Sequence, residues 1–126
     1  MIVAHGGLAG EYLSAVEHVV GAQAGMRSIA IGAEDDRAIK QEEICSAADA
    51  VDVGDGVVIV TDMFGGSPSN LSLRACSPAN RRILYGANLP MLIKLAKSRQ
   101  MPVVDAVDAA LDAAHKYINS HSVGQP

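Results

Sequence analysis

Four short apolar runs, each followed by a segment of helical periodicity, constrain the fold of this chain more than any other feature. The clearest run spans residues 57–60, four consecutive β-branched aliphatic side chains with no polar residue among them. Such a run is typical of a strand that is covered on both faces, as in a parallel sheet. The other runs lie at residues 1–4, 26–31 and 82–86. This alternation predicts an α/β fold in three layers, with helices on both faces of an open, mostly parallel sheet.

Helical patterns fill the segments between and after these runs. The clearest is near the carboxyl end, where apolar residues are spaced by three, four, three and four positions: Val104, Val107, Leu111, Ala114 and Ile118. Further helices are expected over residues 8–20, from about 34 to 51, over 67–76 and around 91–96. In the third of these, Ser67 is expected to cap the helix and Pro68 to lie in its first turn.

The length and composition narrow the classes of protein. A chain of 126 residues corresponds to one domain, so residues 1–126 are predicted to form a single unit, and the polar tail 119–126 is a candidate for one added antiparallel edge strand. Ten Lys and Arg against 14 Asp and Glu give a net charge of −4, which argues against nucleic acid or an anionic membrane as a partner.

Cysteine and histidine usage predicts no metal site and no disulfide framework. The two cysteines, Cys45 and Cys76, form no CxxC motif and are expected inside helices as small buried residues. No apolar run reaches the roughly 18 residues of a membrane span, and the amino end lacks the pattern of a secretory signal. A reducing, cytoplasmic location is therefore expected.

The strand ends place two polar residues in one crevice. Ligands of open parallel sheets bind beyond the carboxyl ends of the strands, where the strand order reverses. In the common order 2-1-3-4 the reversal lies between the first and third strands. The first strand ends at His5 and the third at Asp62. We therefore expect these two residues to be neighbours, although they are far apart along the chain.

A histidine beside a carboxylate is suited to nucleophilic chemistry. The carboxylate accepts a hydrogen bond from one ring nitrogen, which leaves the lone pair of the other nitrogen available and stabilises the positive ring that forms after attack. Gly6 and Gly7 expose backbone N–H groups at the start of the first helix, and the segment 65–67 (Gly65, Gly66 and Ser67) does so at the third. Two helix amino ends directed at one crevice favour an anion such as a phosphoryl group.

Each of these features has a simpler interpretation when it is taken alone. A His-Gly pair after a strand is usually a turn, Gly-Gly-Ser-Pro is often a loop with a helix cap, and Asp62 could cap a neighbouring helix. Their convergence on one crevice favours a functional site. Arg81 and Arg82 are expected on a solvated face.

Three blocks of sequence resemble the IIA component of the mannose-type sugar phosphotransferase system. They are Val-Ala-His-Gly ending at Gly6, Asp-Met-Phe-Gly-Gly-Ser-Pro-Ser-Asn at 62–70 and Gly-Ala-Asn-Leu-Pro-Met-Leu at 86–92. They occur in the family's order, and the likeness extends over residues 1 to about 118. The second block is specific, the third supports it, and His-Gly alone is weak.

The resemblance implies a phosphoryl carrier that needs no metal or cofactor. The family histidine, matched by His5, accepts a phosphoryl group from the histidine-containing phosphocarrier protein and passes it to a IIB component. Asp62 matches the aspartate that orients the ring, and Gly65, Gly66 and Ser67 match the block that helps to hold the phosphoryl group. Contact with a membrane permease would be peripheral. The resemblance also implies a homodimer in which an edge strand from the carboxyl end is exchanged.

Other functions remain open at the level of sequence. The same phosphorylation site could serve a regulatory module that reports phosphorylation state to a kinase or transcriptional regulator. The phosphocarrier subunit of dihydroxyacetone kinase also resembles the family, although it often has Ser where this chain has Gly6. A nucleotide-binding module lacks support, because no glycine loop is followed by a Walker lysine and no GxGxxG opens the first helix.

Overall fold

Strands and helices alternate along the chain as the sequence pattern predicts. The structure, a computed structural model, describes residues 1–124. Its elements are β1 (Ile2–His5), α1 (Leu8–Val20), β2 (Ser28–Ile31), α2 (Arg37–Val51), β3 (Val57–Thr61), α3 (Ser67–Ser72), a 3-10 turn (Leu73–Cys76), β4 (Arg81–Leu84), α4 (Leu89–Ala96) and α5 (Val103–Lys116).

The sheet has the order β2-β1-β3-β4, and all neighbouring strands are parallel. This confirms the predicted fold and strand order. In β1, His5 pairs with Ile31 of β2, and Val3 pairs with Thr61 of β3. From β1 the chain continues to β2 on one side, and from β3 it continues to β4 on the other side. The strand order therefore reverses between β1 and β3.

The core has two halves because successive strand residues face opposite sides of the sheet. On one face, Val3 and Ile59 pack with Ile44 of α2 and Leu71 of α3. On the other, Ile2, Ala4, Val60 and Leu84 pack with side chains of three helices, namely Val16 of α1, Met91 and Leu92 of α4, and Ala110 of α5. Burial of each large aliphatic side chain stabilises the fold by roughly 1.5–3 kcal/mol. This double covering holds the carboxyl ends of β1 and β3 in place.

The third helix differs from its prediction at both ends. Its N-cap is Gly66, so Ser67 is the first helical residue rather than the cap, and Pro68 lies in the first turn as expected. The α-helix ends at Ser72, whose hydroxyl donates to the carbonyl oxygen of Pro68 at 2.6 Å. A serine that bonds back to the preceding turn competes with regular helix geometry, and the chain continues as a 3-10 turn to Cys76.

Arg81 corrects a second expectation, since it lies on a buried site and not on a solvated face. Its side chain is 6% exposed and donates from Nη2 to Asp49 Oδ1 at 2.8 Å and to Asp52 Oδ2 at 3.1 Å. Its Nη1 donates to the carbonyl oxygen of Ala75 at 3.1 Å. Arg82, on the other face of β4, is exposed as predicted. The two cysteines are half-buried against the first half of the core.

The carboxyl-terminal tail contains no strand over residues 119–124. Residues 125 and 126, the end of the predicted edge strand, lie outside the described residues. The helical stripe of α5 ends before Ile118, which is 71% exposed. Over residues 1–124, none of the helices combines the length and the apolar character that a membrane span requires.

Candidate active site

The ends of β1 and β3 bring His5 and Asp62 into direct contact. The Nδ1 atom of His5 lies 2.7 Å from Asp62 Oδ2. The backbone N–H of His5 donates to the same oxygen at 3.0 Å. The two residues are therefore neighbours at the point where the strand order reverses, as the topology argument predicts.

Asp62 is held rigidly by its own hydrogen bonds. Its second oxygen, Oδ1, accepts from the backbone N–H of Met63 at 3.0 Å. The side chain is 13% exposed. Burial alone would raise the pKa of Asp62, but the hydrogen bonds from the backbone and ring of His5 outweigh it, so the pKa is lowered below its ordinary value. The group is thus an ionised acceptor at neutral pH, suited to fixing a proton on Nδ1.

The other ring nitrogen of His5 is not engaged by any residue that the structure describes. The His5 side chain is 48% exposed, and among the described residues Nε2 has no hydrogen-bond partner. Gly66 lies beside it: a Cβ placed on Gly66 would stand 3.0 Å from His5 Cε1 and 3.4 Å from Nε2. Glycine at position 66 therefore leaves space next to the one nitrogen that is available for chemistry.

The glycine segments lie around this crevice, but their N–H groups are not equally available. Gly6, with φ of +56°, donates its N–H to the carbonyl oxygen of Ile31 at 2.9 Å. Gly65, with φ of +85°, donates to Ser69 Oγ at 3.0 Å. Gly7, at the amino end of α1, and Gly66 and Ser67, at the amino end of α3, are positions whose N–H groups lack partners within their own helix.

Ser69 and Tyr85 belong to this site, although sequence reasoning missed both. The Ser69 hydroxyl accepts from Gly65 and donates to the carbonyl oxygen of Gly66 at 3.0 Å, which fixes the loop. The ring of Tyr85 meets that of Phe64 edge to face, with centroids 4.9 Å apart and planes at 86°. Tyr85 lies near the end of the fourth apolar run and directly follows β4. This position was a usable signal, because the carboxyl ends of parallel strands share one edge.

Cationic metal chemistry finds no obvious host in this crevice. Within residues 1–124, no group of three or more His, Cys, Asp or Glu side chains is arranged to hold a metal ion. The arrangement comprises one ring nitrogen without a hydrogen-bond partner among the described residues, one carboxylate in contact with the other ring nitrogen, and two helix amino ends.

Comparison with known proteins decides the family. Residues 1–113 match the family model for the PTS system fructose IIA component, EIIA-man. The chain belongs to this IIA family of the phosphotransferase system. It is therefore a component of the sugar phosphotransferase system, a role that implies partners in the phosphotransfer chain, such as a IIB component. Among curated proteins, no match was found.

Solved structures of IIA proteins share the fold. The mannose/sorbose-specific IIA subunit from Enterococcus faecalis superimposes with a TM-score of 0.87 at 21% identity, over 99% of this chain and 95% of that one. The EIIA component from Streptococcus agalactiae gives 0.78 at 28% identity, over 94% and 93% of the two chains. A IIA protein associated with the fucose utilization operon of Streptococcus pneumoniae gives 0.78 at 24% identity, over 94% and 89%.

Proposed function

We propose that this IIA protein is a phosphoryl carrier in which Nε2 of His5 is the nucleophile. The observation that carries the proposal is the 2.7 Å contact between Asp62 Oδ2 and His5 Nδ1. This contact supports a proton on Nδ1 and an Nε2 lone pair that is available for attack. An ionised carboxylate on Nδ1 makes Nε2 more electron-rich and favours the ring when it becomes positive.

The transfer step balances without a metal or a nucleotide. The Nε2 lone pair forms a bond to phosphorus as the phosphorus–nitrogen bond of the donor's phosphohistidine breaks. The leaving electron pair stays on the donor nitrogen, and the proton on Nδ1 of His5 remains there, hydrogen-bonded to Asp62. In the second transfer, a nucleophile of the recipient bonds to phosphorus as the phosphorus–Nε2 bond breaks, and Nε2 of His5 regains its lone pair. Catalysis comes from positioning and from charge stabilisation, since the donor is already activated.

The phosphoryl oxygens would be held by backbone N–H groups. Gly7, Gly66 and Ser67 offer the N–H groups at the two helix ends. Gly6 and Gly65 contribute through backbone shape, since their N–H groups already donate to Ile31 and Ser69. We propose the histidine-containing phosphocarrier protein as the donor and a IIB component as the recipient.

A second copy of the chain is also proposed, as part of a homodimer. Strand β4 lies at one edge of the sheet and pairs with β3 alone in the structure described here. An open strand edge is a template for a further strand. The tail after α5 follows the helix that packs over this side of the sheet, and an exchanged tail would cover β4. A single-chain mass in light scattering of the full chain would rule out the dimer.

The labelling of one histidine tests the carrier function. The chain is incubated with phosphoenolpyruvate, enzyme I and the phosphocarrier protein, and the modified residue is located by mass spectrometry. An acid-labile adduct on His5 is expected, and His5→Ala is expected to abolish it. His18→Ala is the matched control, because His18 is an exposed histidine on α1 and should not affect labelling. A label that persists in His5→Ala would refute the proposal.

A further inference from the structure

Phe64 is an unusually exposed aromatic side chain in a fixed position. It is the one Phe of the chain and is 74% exposed. It lies in the loop between Asp62, which contacts His5 Nδ1, and Gly66, where an added Cβ would stand 3.0 Å from His5 Cε1. A large aromatic ring in water is normally disfavoured, and such rings are common anchors of protein interfaces. Because this loop carries Asp62 at one end and Gly66 at the other, a protein that delivers a phosphoryl group to His5 must approach the loop that carries this ring.

The ring of Tyr85 packs against the ring of Phe64. The two rings form an edge-to-face pair with a centroid distance of 4.9 Å. The backbone just after Tyr85 is held from two sides: the Ala87 N–H donates to the carbonyl oxygen of Thr61 at 3.0 Å, and the Tyr12 hydroxyl donates to that of Ala87 at 3.1 Å. A ring on a loop is therefore packed against a ring on a rigid segment that β3 and α1 both contact.

We propose that Tyr85 is a positioning residue that holds Phe64 as the anchor for the phosphorylated donor protein. The inference rests on the proposed function, because it assumes that a phosphohistidine must be brought to His5. An anchor that is ordered before binding avoids the entropy cost of ordering it on contact, which lowers the donor concentration needed for transfer. The chemical step itself does not use either ring.

The residues around the Phe64 ring indicate which kind of donor surface would be complementary to it. Met63, next to Asp62, is 56% exposed and Leu8, at the start of α1, is 39% exposed, so apolar side chains other than Phe64 are exposed on the segments that carry the site. Beyond it, next to the end of β2, the segment 34–37 carries three carboxylates and one arginine, all exposed. The complementary donor surface is an apolar patch around the phosphohistidine, with basic side chains on the side that faces this segment.

The test separates binding of the donor from the chemical step. Initial rates of phosphoryl transfer to this chain are measured against the concentration of phosphorylated phosphocarrier protein. Phe64→Ala is expected to raise KM about tenfold, and Tyr85→Ala about fivefold, with kcat nearly unchanged in both. Tyr85→Phe keeps the ring and is expected to restore KM. Leu73→Ala, which truncates a side chain that is 56% exposed on the 3-10 turn, is the matched control and should change neither.

A double substitution shows whether Tyr85 acts through Phe64. In a Phe64→Ala background, Tyr85→Ala is expected to have no further effect on KM, because the ring that it supports is gone. Equal and independent effects in both backgrounds would overturn the inference, as would a Tyr85→Ala that behaves like Leu73→Ala. These outcomes are distinct from failure of the carrier function, in which the unmodified chain would take no label at all.

Discussion

Two clusters of nitrogen and carboxylate groups lie at opposite ends of the parallel strands. At the carboxyl ends of the strands, called here the carboxyl edge, His5 contacts Asp62. At the amino ends of the strands, called the amino edge, Arg81 contacts Asp49 and Asp52. Both clusters join segments that are remote in sequence, with separations of 57 positions for His5 and Asp62 and of 29 and 32 for Arg81. Both also place a carboxylate against a nitrogen donor at a distance under 3.2 Å.

The two clusters differ in how completely their donors are used. The Arg81 side chain is 6% exposed and donates to two carboxylates and to a backbone carbonyl group. The His5 side chain is 48% exposed and uses Nδ1 alone, while Nε2 faces the crevice. A guanidinium stays charged at any physiological pH, whereas an imidazole can carry a lone pair.

The difference teaches what each cluster is able to do. A buried side chain whose three nitrogen atoms each have a hydrogen-bond partner can connect α2, the 3-10 turn and β4, but has no nitrogen left for chemistry. An imidazole that is hydrogen-bonded at one nitrogen and not at the other has a fixed orientation and still has one nitrogen available. We therefore expect substitutions at the carboxyl edge to lower phosphoryl transfer with little change in stability, and substitutions at the amino edge to do the reverse.

Loss of the carboxylate that orients His5 is expected to have the largest effect. Asp62→Asn replaces an ionised acceptor by a neutral amide, so the ring loses the group that fixes its proton on Nδ1. We expect the rate of phosphoryl transfer to fall about 100-fold, in the range found when a residue that orients a ligating or nucleophilic histidine is removed. Transfer from the phosphorylated phosphocarrier protein measures the rate. Asp55→Asn, in the exposed turn before β3, is the control.

A rate of transfer for Asp62→Asn within threefold of that of the unmodified protein would contradict the expectation that the carboxyl edge acts on phosphoryl transfer. Circular dichroism of the same sample checks that the fold persists.

Removal of the arginine at the amino edge is expected to act on stability instead. Arg81→Met keeps much of the aliphatic volume but leaves two carboxylates and the Ala75 carbonyl group without their donor. We expect the free energy of unfolding to fall by about 2 kcal/mol, less than for a fully buried ion pair because Asp49 is 71% exposed. Urea unfolding measures it, with the neighbouring exposed residue in Arg82→Met as the matched control.

The comparison predicts that Arg81→Met still accepts a phosphoryl group on His5 at the normal rate when it is folded. Equal destabilisation by Arg82→Met would mean that the buried contacts contribute nothing specific, and slow labelling of a folded Arg81→Met would mean that the two edges are coupled.

The sequence predicted the contact between His5 and Asp62 far better than the contacts of Arg81. His5 and Asp62 each end an apolar run, and parallel strands bring their carboxyl ends to one edge, so topology alone made them neighbours. Arg81 begins a run instead, and its partners lie in and just after a helix that has no fixed register relative to the strand. Pattern reasoning therefore expected a solvated arginine, since nothing in the sequence reports which helix turn faces it.

Local boundaries failed where side chains compete with the backbone. Ser67 is a good cap by composition, but the loop turns at Gly65 and the helix begins one residue earlier than a cap at Ser67 requires. The local bond from the Ser72 hydroxyl back to Pro68, at the end of the α-helix, is likewise not revealed by the hydrophobic period. The distance between Gly66 and the His5 ring depends on these same details, so it could not be predicted.

That close approach gives the third expected effect. In Gly66→Ala the new Cβ would lie 3.0 Å from His5 Cε1 and 3.4 Å from Nε2, so the ring must shift or the incoming phosphoryl group loses space. We expect transfer to slow about tenfold, since small misplacements at a reacting centre are costly. Gly10→Ala is the control, because a Cβ there meets no atom within 4 Å. Equal rates for the two variants would show that Gly66 is not near the reacting nitrogen in solution.

The smallest expected effect is the dependence of stability on pH through Asp62. Its pKa is lowered in the folded protein because the His5 hydrogen bonds outweigh the opposing effect of burial, whereas an unfolded aspartate has a pKa of about 3.9. The folded state then binds fewer protons, so the contribution of Asp62 to the free energy of unfolding is fully present above about pH 3.9 and is lost as the pH falls through the lower folded pKa.

Because the site is partly open to solvent, we expect this contribution to be only about 0.5 kcal/mol. The free energies of unfolding of the unmodified protein and of Asp62→Asn, measured in urea, should therefore differ slightly at pH 7 and converge as the pH falls through the lowered pKa of Asp62. A gap that widens in acid would mean that Asp62 is destabilised as an anion, and the carboxyl edge would then resemble a strained site rather than an oriented one.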